Sequence, residues 1–220
     1  MFESWKSEIG EIREGEYALR GQSIGSLMQA GDWLGTLALA LLGRALTKSE
    51  RPLLAACLIA AIDHGVDPPS AHVTKVVASC GKPVADSVAA GLLTLGLRHG
   101  NTASAAAKWL RDHVATEVSV KDAVFKTLVS GVRLSGFGHA EYERDPRAVV
   151  LAKLAETHLS HAVHLRYALE VAEELTRQKE KSLYLNIDGA IGAIMVDLEW
   201  PLELADTIFL IARTVGLSAH

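Results

Sequence analysis

Aromatic side chains are scarce in this sequence, at 5% of 220 residues, and Ala, Leu and Val are abundant. That mix favours helix over sheet, because Ala and Leu lose little conformational entropy in a helix. Cysteine is nearly absent. Cys57 and Cys80 both lie in apolar helical segments and read as small buried hydrophobes rather than a metal or redox pair. This usage fits a reducing compartment. No apolar run is long: Leu53 to Ile62 is too short to span a bilayer. The first residues, MFESWKSEIGEIREGE, are too polar for a signal peptide, so a cytoplasmic protein is expected. Basic surplus is lacking too. The formal net charge is −4, and nothing suggests a nucleic-acid or anionic-membrane partner, since both usually need clustered Lys and Arg.

Hydrophobic residues are plentiful, at 49%, ample for a buried core. Between Trp5 and Leu27 the chain is polar and interrupted by glycines, and Glu16 to Arg20 alternates enough for a short strand in a small hairpin. The pattern then turns helical over Trp33–Leu46. Thr47, with Glu50 three residues on and Pro52 in the first turn, predicts a capped helix to about His64. Gly65 and Pro68-Pro69 stop it. Further helices are predicted from Ser70 to Cys80, from Val84 to Arg98, from an Asn101 cap through His113, and from Val120 to Val132. Asp145-Pro146 opens another, with proline at its first position. Two more charged amphipathic helices follow to about Lys181. An apolar helix follows Asn186, and a last one runs from Pro201 to about Gly216. The fold class is all-α. Residues 99–181 are more polar than their flanks, which predicts a small lobe inserted in a large helical lobe made of 1–98 and 182–220.

Chemistry concentrates at three of the nine histidines. His64, His99 and His139 each sit beside glycine at a helix end or turn, in DHG, RHG and GFGHA. Helix ends expose free backbone donors, and glycine lets a ligand approach the backbone. His72, His113, His158, His161, His164 and His220 read as surface or packing residues. No HxH or HxxxH pair supports a metal site. Asp188, in the apolar run LYLNIDGAIG, is either a desolvated base with a raised pKa or a helix N-cap. Spacing does not choose between them.

The segments AAIDHGVDPPSAHVTKVVASCG, GLLTLGLRHGN, GFGHAEYERDPRAVVL, LYLNIDGAIGAIM and IARTVGLSAH, after an early EYALRGQSI, resemble the citrate synthase superfamily in type and order. DHG, AAGLLTLG, ALEVAEEL and NIDGAIGAIMVD lean towards the citryl-CoA lyase module of ATP-citrate lyase. The resemblance covers about residues 9 to 220. It implies a two-lobed helical protomer that works as a homodimer or dimer of dimers. It implies no tightly bound cofactor, and a coenzyme A thioester as substrate. His64 would bind a carboxylate or hydroxyl of the ketoacid portion, and His99 would hydrogen-bond the thioester oxygen. His139 would meet the oxygen that is hydroxyl on one side of the reaction and carbonyl on the other, assisting its deprotonation in cleavage. Arg147 and Arg213 would pair with carboxylates, and Asp188 would be the carbon acid–base. The chemistry needs this division, because a thioester α-proton is so weakly acidic that the enolate requires a placed donor as well as a base. Gly136, Phe137 and Gly138 form a turn beside the CoA arm or serve chain reversal alone. Arg144 is either a CoA-phosphate ligand or a solvated surface residue.

Three departures bear on the activity. The sequence ends seven residues after Arg213, where family members usually continue into an arm carrying another arginine to the neighbouring site. Position 99 is histidine, where the lyase module has an aromatic residue. Ser135 stands where many synthases have proline. The implied reaction is cleavage of citryl-CoA to acetyl-CoA and oxaloacetate. The alternatives are the condensation of acetyl-CoA with oxaloacetate or a related ketoacid, and a non-catalytic member that keeps the fold. Retention of His99, His139 and Asp188 opposes the last.

Overall fold

Glycine and proline punctuate the chain into short helices, and the computed structural model shows where each one stops. It describes residues 7–13, 15–100, 102–116 and 118–220. The predicted cap at Asn101 lies outside them. Residue contacts separate two compact units, Met1–Ala55 and Ala56–His220.

In the first unit, β1 (Gly10–Arg13), β2 (Glu16–Leu19) and β3 (Gln22–Ser23) form an antiparallel sheet in the order β1-β2-β3. β2 is the strand expected from the alternation at Glu16 to Arg20. Helix α1 (Ile24–Ala30) follows, then α2 (Trp33–Leu42), capped by Asp32, whose carboxylate accepts from the Gly35 N–H at 2.9 Å. α2 ends four residues before Leu46, because Gly43 turns left-handed and closes it. The chain then enters α3 (Glu50–Ala61) through the predicted capping box. Glu50 Oε2 accepts from the Thr47 N–H at 2.7 Å, and Thr47 Oγ1 from the Glu50 N–H at 3.2 Å.

The second unit holds α4 (Pro69–Ser79), α5 (Val84–Leu92), α6 (Ala103–Val114), α7 (Val120–Val129), α8 (Pro146–His158), α9 (Val163–Lys179), α10 (Ile187–Asp197) and α11 (Glu203–Ala219). α10 is its axis. Ile187 and every residue from Gly189 to Val196 are buried, as expected of a helix apolar on all sides. It packs on α6, α8, α9 and α11. Gly192 sets the closest approach: a Cβ there would lie 2.6 Å from the Ala103 carbonyl oxygen and 2.9 Å from the Ala107 nitrogen, both backbone. Buried Ala103, Ala106 and Ala107 complete the small-residue contact on α6. Burial of Ile191 and Ile194 contributes about 1.5–3 kcal/mol each.

α3 ends at Ala61, three residues short of His64, and α11 runs on to Ala219, past Gly216. α5 stops at Leu92, six residues short of Arg98, because Gly96 and His99 exchange backbone hydrogen bonds of 2.8 and 2.9 Å in a tight turn. Only one helix, α9, separates α8 from Lys181, where two were expected. Nothing between Val163 and Lys179 interrupts it. Cys57 is buried, and burial pushes its thiol up to about 12; Cys80 is exposed just beyond the last turn of α4. No helix among the described residues is long and apolar enough to cross a membrane.

Candidate active site

Five parts of the second unit bring the chemistry together: the loop after α3, the turn before α6, the glycine-rich turn and the start of α8 that follows it, the start of α10, and α11. A cavity of about 130 Å³ is lined by His64, His99, His139, Arg147, Asp188 and Arg213 among others. The six residues singled out as catalytic or substrate-binding thus share one wall, although they span 149 positions of sequence.

Asp188 lies at the start of α10 but does not cap it. Asn186 is the N-cap, its side-chain oxygen accepting from the Gly189 N–H at 3.1 Å. Asp188 Oδ2 instead accepts from the Thr102 hydroxyl at 2.5 Å. The residue as a whole is half-buried, because one side opens on the cleft, while protein encloses the carboxylate elsewhere. Desolvation pushes this carboxyl above its ordinary value; Thr102, Arg147 and Arg213 oppose the rise and the Asp206 carboxylate adds to it.

The glycine-rich turn needs its glycines. Gly136 and Gly138 have φ of 88° and 79°, and a Cβ on Gly136 would come 2.6 Å from the Gly189 Cα. The turn is tied to the α10 entry: Asn186 donates from its backbone to the Gly136 carbonyl at 3.0 Å and from its side chain to the Gly138 carbonyl at 2.9 Å. His139 follows. Its Nδ1 lies 3.1 and 3.3 Å from the Glu141 and Tyr142 N–H groups, so it accepts from them. The ring's proton then sits on Nε2. Arg147 Nη2 approaches Nε2 at 3.4 Å, but a neutral imidazole cannot accept at both nitrogens, and the shorter Nδ1 contacts decide the tautomer.

Asp145 organises the far side. It caps α8 through the Arg147 N–H at 3.0 Å, holds the Arg147 side chain with two contacts of 2.9 Å, and accepts from the Ile187 N–H at 3.0 Å. Burial alone would raise this carboxyl; the Arg147 guanidinium outweighs that and holds it below its ordinary value. Sequence reading saw only the cap.

Arg213, on α11, is only 2% exposed. Its Nε donates to the Ala61 carbonyl at 3.2 Å, its guanidinium lies 4.8 Å from the Phe209 ring centroid, and its buried Nη1 has no partner. Burial makes this guanidinium less basic than an ordinary arginine. An unpaired buried cation beside a cavity is costly unless a ligand anion answers it. His64 and His99 both have lowered pKa values, through burial first and neighbouring arginines second. His99 Nε2 contacts Ser70 Oγ at 2.9 Å. His64 packs edge-on to His139, ring centroids 5.0 Å apart.

Beyond this chamber lies a second cavity of about 440 Å³, lined by Gly136, Phe137 and Gly138 and sharing His64, His99, His139 and Asp188. A third, of about 630 Å³, shares Arg133 and Phe137 to Ala140 and adds Lys179, Lys181 and the apolar side chains of Leu128, Leu175 and Leu183. Arg144 lines neither. It stacks on Tyr184 at 3.5 Å and reaches Glu173 at 3.3 Å. Sequence reasoning missed Arg98, Thr102, Asp145 and Asn186. Arg98 stands in the quoted RHG motif, and Asp145 and Asn186 stand in quoted segments but read only as helix starts; Thr102 carried no signal beyond following one. Of the remaining histidines, His113 stacks on Trp109, His164 contacts buried Asp197 and His220 contacts Asp63. No metal-ligating group of three or more His, Cys, Asp or Glu occurs among the described residues.

A helical unit with an enclosed carboxyl, three histidines and two arginines on one cleft defines a citrate synthase-like protein. Residues 5–220 match the family described as citrate synthase, C-terminal domain, and the chain belongs to that family. The citryl-CoA lyase from Hydrogenobacter thermophilus superposes with a TM-score of 0.90 at 35% identity, covering 98% of this chain and 85% of that one. The ATP citrate lyase from Methanothrix soehngenii, solved with citrate and coenzyme A, gives 0.89 at 25% identity, covering 99% and 38%. The ATP-citrate synthase beta chain protein 1 of Oryza sativa subsp. japonica is 29% identical over 97% of this chain. The chain spans 38% of that relative's length.

Proposed function

We propose that this chain cleaves citryl-CoA to acetyl-CoA and oxaloacetate by retro-aldol chemistry. The observation that carries the reading is the open, buried Nη1 of Arg213 in a cavity shared with Asp188 and three histidines. The solved relatives support it, one being a citryl-CoA lyase and one holding citrate and coenzyme A.

Arg213 and Arg147 bind the two free carboxylates of the citryl group, since the guanidinium fork can donate two parallel hydrogen bonds. His64 adds a contact to the ketoacid portion. His139 Nε2–H meets the oxygen that becomes the oxaloacetate carbonyl. As found, the ring fits the product side, with a donor on that carbonyl. To take the hydroxyl proton in cleavage, it must release the two backbone donors at Nδ1. The carbon–carbon bond breaks with its electron pair on the acetyl portion. His99 steadies the thioester enolate, and Asp188, its raised pKa favouring the protonated form, returns a proton to the carbon. The Gly136–Phe137–Gly138 turn borders the CoA arm. The adjoining cavity with Arg133, Lys179 and Lys181 takes the phosphate-bearing end. The CoA thioester is substrate, and no tightly bound cofactor enters the scheme. Residues 99–181 act as the small lobe, and the protein works in the cytoplasm as a homodimer or dimer of dimers.

Condensation of acetyl-CoA with oxaloacetate uses the same groups in reverse. Incubation with citryl-CoA, and separately with acetyl-CoA plus oxaloacetate, tells the directions apart by product and by release of free CoA. No turnover in either arm refutes both.

A further inference from the structure

Thr102 stands where a capping side chain belongs and does not cap. It holds the N-cap position of α6, where a threonine usually turns its oxygen onto a helix N–H, but its side chain makes no such bond. Another helix takes over the task. The Asp206 carboxylate, on α11, accepts from the Ser104 N–H at 3.1 Å and from the Ser104 hydroxyl. The Thr102 hydroxyl is thereby spared for α10, where it donates to Asp188 Oδ2 at 2.5 Å.

The contact is held at both ends. Ala103, next in sequence, meets α10 so closely that a Cβ on Gly192 would fall 2.6 Å from its carbonyl oxygen. Asn186 fixes the start of α10 through the Gly189 N–H. Asp188 Oδ1, by contrast, has no hydrogen-bond partner among the described residues. A protonated carboxyl has one O–H and one carbonyl oxygen. With Thr102 donating to Oδ2, that oxygen serves as the carbonyl, and the proton belongs on Oδ1. The reverse arrangement, an Oδ2–H donating to Thr102, would strand the threonine's own proton, which finds no other acceptor among the described residues.

Resting on the reading of Asp188 as the carbon acid–base, we infer that Thr102 is a positioning residue that orients this carboxyl and reserves Oδ1 for proton transfer. It acts through Asp188 and serves both protonation states, since Oδ2 accepts in each. The bond is stronger to the charged form, so Thr102 also limits how far burial lifts the Asp188 pKa. The other charged and titratable groups around Asp188 are Arg147 with its partner Asp145, Arg213 and Asp206 on α11, and His64, Arg98, His99 and His139 across the cleft. All of them remain in a Thr102 variant.

Carbon-13 NMR titration of the aspartate side-chain carboxyls in the parent, Thr102→Val, Thr102→Ala and Thr102→Ser tests this. The Asp188 signal is the one missing from Asp188→Asn. Valine keeps the shape of threonine without the donor, alanine removes the donor without bulk, and serine restores it. The Asp188 carboxyl is expected to titrate at higher pH in the valine and alanine variants and to return towards the parent in Thr102→Ser. Turnover of citryl-CoA is expected to fall about ten- to a hundredfold in Thr102→Val, with KM changed by less than about twofold, and to recover in Thr102→Ser. An Asp188 signal that titrates alike in the parent and the donor-less variants overturns the inference. So does a serine variant that behaves like valine, or a loss confined to KM. The titration needs no turnover. If the parent does not cleave citryl-CoA, the reaction reading falls, and the titration alone decides whether Thr102 governs Asp188.

Discussion

Replacing Asp188 with asparagine separates an acid–base group from a structural one, because the substitution preserves nearly everything else. The side chain keeps its shape, and its amide oxygen can still accept from the Thr102 hydroxyl. The helix start is not at risk, since Asn186 supplies the cap. What is lost is the proton that a carboxyl can give or take. Loss of a general acid–base lowers turnover by roughly a hundredfold to ten-thousandfold, or about 2.7–5.5 kcal/mol of barrier. Stability should move the other way. Burial raises the folded-state pKa above the ordinary 3.8, so between that value and the raised one the folded chain keeps a proton that the unfolded chain has lost. Stability from this group therefore falls as pH rises through the window, so at neutral pH the group contributes less than it does in acid. Asp188→Asn should melt at or above the parent temperature at neutral pH while losing activity. The assay is initial rates with citryl-CoA, read as oxaloacetate formed, beside a thermal melt on the same preparation. A variant that turns over at the parent rate refutes the assignment of the base, and one that loses activity only because it has unfolded refutes the stability argument.

Asp145→Asn should destabilise the protein by about 3 kcal/mol in a chemical denaturation curve, since it leaves Arg147 without its buried counter-charge and weakens the hold on the Ile187 N–H. The Asp145 pKa is depressed, so its contribution is present above its unfolded value of about 3.8 and disappears as pH falls below it; the variant's deficit should shrink in acid, and a pH-independent deficit contradicts the ion-pair account. Arg213→Lys keeps a cation but loses the fork and the contact to the Ala61 carbonyl, so binding of the free acid should weaken roughly ten- to a hundredfold by calorimetry; unchanged affinity removes Arg213 from the ligand. Ile59, Leu93 and Leu97 are 70%, 87% and 80% exposed, which predicts at least a dimer in light scattering at micromolar concentration; a stable monomer rejects it.

Local punctuation was readable wherever one residue type decides the matter. The Thr47–Glu50 box and the Asp145-Pro146 start sit where sequence places them, while α3 already ends at Ala61, ahead of the expected stop at Gly65. Long-range facts were not. The apolar run Thr94-Leu95 reads as more helix, and only the pairing of Gly96 with His99 shows why α5 ends early. Asp188 had two readings of equal standing, and the neighbour that resolves its hydrogen bonding, Thr102, lies 86 residues away. Asp145 looked like a cap because its second and third tasks, at the Arg147 side chain and the Ile187 N–H, are defined only once α8 and α10 meet. The ordered motifs gave the six cleft residues, while Arg98 and Asn186 needed the cavity itself to be noticed.

A structure of the protein with coenzyme A and oxaloacetate bound tests the central claim most directly. The account predicts an oxaloacetate carboxylate within hydrogen-bond distance of Arg213 Nη1 and its keto oxygen at His139 Nε2. It also predicts the thiol end of coenzyme A emerging past Gly136–Gly138 towards His99 and Asp188. Oxaloacetate bound outside this cavity, or a thiol end that points away from Asp188, contradicts it.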